Sequence, residues 1–202
     1  MEDIDKGMKK ILEEMKKLGE TYVKVGFPEG SGTVNVGKKE VDIAQIAYWN
    51  ENGVTSTNNV LKKGKVWVLP PRPFMSQAVE SNKSRIDQLG ETLVRKVADG
   101  KIDAEAAAQT LASFGVGIVR KSIADGNFAA NSLITIYGTE IMSKERIEVT
   151  SRNGKKYKKT IVHRFIEGKG EGKKPLTDEG TMKKAVNAVI VRNGKVIDRI
   201  KD

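Results

Sequence analysis

The strongest constraint on this chain is a pair of long helical repeats separated by almost nothing. Apolar residues recur at helical spacing from Phe74 and Met75 through Ala78, Val79, Ile86, Leu89, Leu93, Val94 and Val97. A second helix is predicted from about Asp103 to Ala124, with Asp103 placed to cap it. Only a short turn around Asp99-Gly100 lies between them, so the two helices are expected to fold back as an antiparallel hairpin. Pro70-Pro71-Arg72-Pro73 closes the preceding strand, 65–69, and forces an extended entry into the first helix.

The segments on either side fill in the class. Ile4, Met8, Ile11, Leu12, Met15 and Leu18 mark an amphipathic helix ended by Gly19. Thr21 to Phe27 alternates as a strand and is stopped by Pro28. Residues 29–39 and 54–64 read as loops, and Val41 to Trp49 as a short helix closed by Asn52-Gly53. In the last third, Leu133 to Tyr137 looks like a strand. Two hairpins are predicted, 145–152 with 155–165 about Asn153-Gly154, and 185–191 with 195–200 about Asn193-Gly194, because Asn-Gly suits a two-residue type I′ turn. Glycine-rich 168–174 reads as a linker, and a polar turn or short helix follows Pro175-Leu176. The expected class is α+β: an antiparallel sheet packed with a few helices, carrying a protruding basic hairpin. One domain, 1–202, is expected, with 144–174 as a basic arm and linker.

Chemistry is excluded more than suggested. The chain has no cysteine and one histidine, His163, so thiolate metal sites, cysteine nucleophiles and paired-histidine sites cannot form within it. Gly32 to Lys38 matches GxxxxGK, but Lys39 stands where a magnesium-binding Ser or Thr belongs, and a surface loop is the better reading. The alternating glycines of 168–174 read as linker rather than phosphate cradle. Glu13, Glu14, Glu91 and Glu105 fall on charged helical faces, and Asp178 and Glu179 are neighbours that point apart. With no nucleophile, base and orienter in sight, we expect no enzyme, cofactor or metal. A charged N-terminus and the lack of any 18-residue apolar run point to a protein made and kept in a cytoplasm, with no membrane partner.

Charge is where the sequence is uneven. The formal net charge is +10, and the 31 residues 144–174, with eleven Lys/Arg against four Glu, carry +7 of it. Arg152, Lys155, Lys156, Lys158 and Lys159 form the core of this patch. It reads either as an arm for nucleic acid or an acidic protein, or as a sheet edge kept soluble by lysine. A second candidate contact is the aromatic and Arg cluster of Trp49, Asn50, Glu51, Arg72 and Phe74. In the structural reading of that cluster, Trp49 and Phe74 are core anchors; in the functional one, it meets a partner.

Four stretches, in order, carry a resemblance. They are Val25-Gly26-Phe27-Pro28-Glu29-Gly30; Asp42-Ile43-Ala44-Gln45-Ile46-Ala47-Tyr48-Trp49-Asn50-Glu51-Asn52-Gly53-Val54; Leu69-Pro70-Pro71-Arg72-Pro73-Phe74-Met75; and Pro175 to Val186. Together they resemble the tail-completion and head–tail joining proteins of tailed bacteriophages, the family of minor tail protein Z and the virion morphogenesis proteins. Phe27 stands where that family usually has an aliphatic, and Asp178-Glu179-Gly180 replaces its Asp-Thr-Gly. The resemblance implies a small α+β fold that assembles as a ring, often a hexamer, at the virion neck. Its expected partners are copies of itself, neighbouring connector and tail-tube proteins, and DNA in the channel. Arg72 would pair with a carboxylate or meet a neighbour. Loops 29–39 and 54–64 and hairpin 144–166 would order on assembly. A tail-terminator role, capping the tube, is the near alternative, and non-specific nucleic-acid binding through the basic arm is the alternative of a different class.

Overall fold

A computed structural model describes residues 6–36, 39–56, 67–128, 140–150, 156–166 and 180–200. The chain divides into two compact units, 1–129 with 179–202, and 130–178. The class is α+β, as predicted.

In the first unit, helix α1 (Lys6–Gly19) leads into strand β1 (Thr21–Gly26). Two basic residues, Lys16 and Lys17, occupy the last turn of α1, where the helix dipole favours cations. Strand β1 pairs antiparallel with a strand from the far end of the chain, Asn187–Arg192, which in turn pairs with Lys195–Ile200. Numbered in chain order these are β8 and β9, so the sheet runs β1-β8-β9. The middle strand is buried on both faces, from Ala188 to Val191. That explains its unbroken Ala-Val-Ile-Val run, since a strand covered on both sides loses polar alternation.

The helical hairpin forms as the sequence requires. Helix α3 (Phe74–Ala98) and helix α4 (Ala104–Asp125) flank a turn in which Gly100 takes a φ of 69°. The predicted cap is present: Asp103 accepts a hydrogen bond from the Ala106 N–H at 2.7 Å. A second acceptor comes from α1, where Glu14 takes the Ala104 N–H at 3.0 Å. Leu93, Val97 and Ala107 form a buried knot, with Met15, Leu18, Leu89, Ile102 and Leu111 packed against it.

Helix α4 is rich in small residues because it lies close to the sheet. A Cβ on Gly115 would stand 2.7 Å from Val25 Cγ2, so only glycine allows that approach. Ala108, Ala112, Val116, Val119 and Ile123 are buried along the same helix.

The loop regions hold more order than the sequence suggested. Residues expected as loop form a hairpin of β2 (Thr33–Val36) and β3 (Lys39–Asp42). The predicted helix start at Val41 is therefore late strand. Asp42 instead caps helix α2 (Ile43–Asn52), accepting from the Ala44 N–H at 2.9 Å. Strand β4 (Val54–Ser56) pairs with β5 (Trp67–Leu69), while 57–66 lies outside the described residues. A five-residue helix, α5 (Thr181–Ala185), precedes β8. The predicted strand 133–137 and linker 168–174 also lie outside the described residues.

The second unit contains strands β6 (Glu140–Thr150) and β7 (Lys156–Ile166), paired antiparallel along their whole length. Thr150 faces Lys156 and Glu140 faces Ile166. The predicted turn, Asn153-Gly154, lies outside the described residues, and the observed register fixes which residues share a face.

Candidate functional site

The residues that carry the resemblance converge on one junction, where the end of α2 meets the start of α3. Helix α3 begins after Pro73, which has no side-chain oxygen with which to cap it. The first N–H groups of a helix need acceptors from elsewhere. Glu51 supplies them: Oε2 accepts from the Met75 N–H at 2.9 Å, and Oε1 from the Ser76 N–H at 3.0 Å and the Ser76 hydroxyl at 2.7 Å. A carboxylate here also meets the positive end of the helix dipole.

Asn50 makes the second fastening. Its carbonyl accepts the Arg72 N–H at 2.6 Å, and its Oδ1 accepts from Arg72 Nη1 at 3.1 Å. Arg72 is only 5% exposed, and burial lowers its pKa below the usual guanidinium value. Arginine starts so high that it stays charged at neutral pH. Gly53 completes the turn with a φ of 73°; a Cβ there would lie 2.8 Å from the Leu69 carbonyl oxygen and 3.0 Å from Pro71 N.

Phe74 is fully buried and meets Phe27 edge to face, with centroids 6.1 Å apart and planes at 86°. Gly26 lies beneath Met75, whose Cε would be 3.3 Å from a Cβ on it. The first three stretches are thereby drawn together. The fourth contributes Met182, Ala185 and Val186 to the core, and the Val186 carbonyl accepts from Arg120 Nη2 at 3.0 Å.

Of the cluster read as a partner contact, then, Arg72 and Phe74 lie inside the fold, and Asn50 and Glu51 are half-buried and occupied. One of the partners of Arg72 is the Asn50 amide oxygen, at 3.1 Å. Trp49 is not the core anchor foreseen: it is 37% exposed, beside Tyr48 at 63%. The helical period explains this. Ile43, Ala47 and Asn50 lie along the inward stripe, and Trp49 follows Ala47 by two residues, which is over half a turn away. That spacing was readable in the sequence. Tyr48 and Trp49 form an aromatic surface on a helix held rigidly at its C-terminal end.

The basic patch belongs to the second unit. Arg152 and Lys155 lie outside the described residues, Lys156 is exposed on β7, and Lys158 and Lys159 follow on the same strand. Residues opposite one another in an antiparallel ribbon share a face, and alternate residues change face. The observed register places Lys144, Arg146, Lys156, Lys158 and Arg164 on one face, with Glu140 and Glu148 and with Met142, Val162 and Ile166. The other face takes Ile141, Ile147, Val149, Tyr157, Ile161 and Phe165, with Glu145 and Lys159. Sequence reading counted the charges but missed this sorting, because it depends on the register between two strands.

Nothing described here has the parts of a catalytic centre. Gly32 to Val36 enters a strand hydrogen-bonded to β3, and the next helix opens only at Ile43, so the GxxxxGK segment has no P-loop geometry. No group of three or more His, Cys, Asp or Glu is placed to hold a metal among the described residues. A groove of about 520 Å³ runs between α3 and α4, where Arg85 lies over the Phe114 ring at 5.4 Å. Among the described residues, no helix is long and apolar enough to cross a membrane. Compared with known proteins, the chain matches no family model, no curated protein and no solved structure.

Proposed function

We propose that this chain is a structural protein of the neck of a tailed bacteriophage, acting in an oligomeric ring that completes the tail and joins it to the head connector. One observation carries the reading. The ordered stretches that resemble that family are not scattered; Gly26-Phe27, Asn50-Glu51-Gly53 and Arg72-Phe74-Met75 build a single junction, as residues maintained together for one architecture would. The work of such a protein is binding and geometry rather than chemistry. The rigid junction presents Tyr48 and Trp49 as an anchor for a neighbouring subunit, since exposed aromatics on a fixed backbone cost little entropy to bury. A ring repeats one heterologous contact until rotation closes it.

The test is the mass of the purified full chain in solution, with electron microscopy of the protein alone and mixed with tails and connectors. A closed ring, with six copies as the expected number, that binds between tail and connector supports the proposal. A strict monomer that binds neither overturns it. A ring that binds only the free end of the tube selects the terminator role instead.

A further inference from the structure

We propose that the basic face of the β6–β7 ribbon is a sequence-independent binding surface for the phosphate backbone of duplex DNA. This inference stands apart from the neck assignment, because it rests on strand register alone.

Three features of the ribbon lead there. The first is segregation. Five Lys/Arg and two Glu fall on one face, while the other has one of each and six of the nine apolar residues. A lysine-protected sheet edge would need no such sorting. Under the register of a two-residue turn, Lys144 and Arg146 would lie on one face and Lys156, Lys158 and Arg164 on the other. The observed pairing unites them.

The second is dimension. Eleven paired residues span roughly 36 Å at the usual rise per residue, about one turn of duplex. A two-stranded ribbon is an element that the major groove of B-DNA admits.

The third is what the face lacks. Tyr157 and Phe165 fall on the opposite face, so the basic side has no aromatic platform on which single-stranded bases could stack. It has no Asn or Gln to read adenine, and three of its five cations are Lys, point charges suited to phosphate, with Arg146 and Arg164 carrying the planar fork. An acidic protein surface would match charge alone, whereas the duplex also matches the length and the missing aromatics.

The experiment is fluorescence anisotropy of the full chain with a 30-base-pair duplex across a salt series. Five phosphate contacts predict a slope of log affinity against log salt of about −4.5, so affinity falls roughly 500-fold between 50 and 200 mM salt. Lys156→Gln with Lys158→Gln should reduce the slope by about 2. Lys159→Gln, on the other face, and Lys10→Gln with Lys16→Gln, on α1, should leave it unchanged. A fivefold replacement by Gln should abolish binding at 100 mM salt. If that variant does not fold by circular dichroism, the double variant still decides, and Lys-to-Arg exchange at 144, 156 and 158 should preserve binding. The proposal fails if the wild-type chain does not bind duplex, if binding is insensitive to salt, if the control lysines matter as much as Lys156 and Lys158, or if a single strand of equal length binds as tightly. Binding only to acidic protein partners would overturn it as well.

Discussion

Two hairpins in this chain share the same four residues. Arg192-Asn193-Gly194-Lys195 joins β8 to β9, and Arg152-Asn153-Gly154-Lys155 lies between β6 and β7. In the first, Asn193 and Gly194 take φ values of 49° and 77°, and Arg192 pairs directly with Lys195. That is the two-residue turn Asn-Gly favours. In the second, Thr150 pairs with Lys156, and the residues between them, 151–155, lie outside the described residues. The same four residues thus lie between strands of two different alignments; turn preference is a local energy of modest size beside the pairing of a whole strand. Even β8–β9 keeps the turn register for only two pairs before a bulge shifts it, leaving Ile197 unpaired and 39% exposed. Beyond the turn, the shifted pairs involve Ala188, Val189 and Ile190, in a strand buried on both faces.

The comparison can be broken at several points. The largest difference should come from Ile190→Ala, which empties a fully buried site on β8 and should cost about 2–5 kcal/mol in denaturant unfolding. Ile147→Ala on the ribbon should cost only about 0.2–1 kcal/mol, the scale of one cross-strand pair. Equal costs would mean that the ribbon is as strongly specified as the core sheet.

Glycine positions come next. Gly53→Ala combines a positive φ with a backbone clash and should lose more than about 1 kcal/mol. Gly194→Ala is strained by φ alone and should lose about 1 kcal/mol, and Gly154→Ala is compared with it in the same thermal transition. A loss at Gly154 matching that at Gly194 would show that the two turns are used alike.

The junction offers a further measure. Glu51→Ala removes the remote cap of α3 and should destabilise by about 0.5–2 kcal/mol, with hydrogen exchange accelerating first at Met75 and Ser76. Asn50→Ala should cost a similar amount by taking an acceptor from the buried Arg72, and should leave the ribbon's salt-dependent binding unchanged.

The smallest effect is electrostatic. The Lys17 ammonium, 2.6 Å away, and the Ala104 N–H hold the Glu14 carboxyl below its usual pKa. A carboxylate depressed on folding contributes stability above its unfolded pKa, and that contribution is lost as pH falls through the folded value. The wild-type melting temperature should therefore drop more steeply below about pH 4.3 than that of Glu14→Gln. Parallel curves would remove Glu14 from the account of α4 capping.

Much of the first unit was legible because its signals are local. Helical period gave α1, α3 and α4, and an N-cap preference gave Asp103. Asn193-Gly194 gave the last turn. The β2–β3 hairpin was missed because its four-residue strands are polar and glycine-flanked, leaving no alternation long enough to read. Of the two readings of Trp49, core anchor and partner contact, residue type suggests the first, whereas its place on the helix leaves it 37% exposed. Glu51 was picked out as a partner contact. Its capping role could not be read, because its partners are 24 and 25 residues away.

The sequence by itself determined the α+β class, the antiparallel helical pair, the lack of cysteine and of a second histidine, and the concentration of charge in one stretch. Each depends on spacing or count along the chain. Tertiary structure alone decided that β1 joins the last hairpin, that Arg72 is buried against Asn50, and that five basic residues of the ribbon share one face. Those outcomes depend on pairing between distant residues, where a slip of one position reverses every side of a strand.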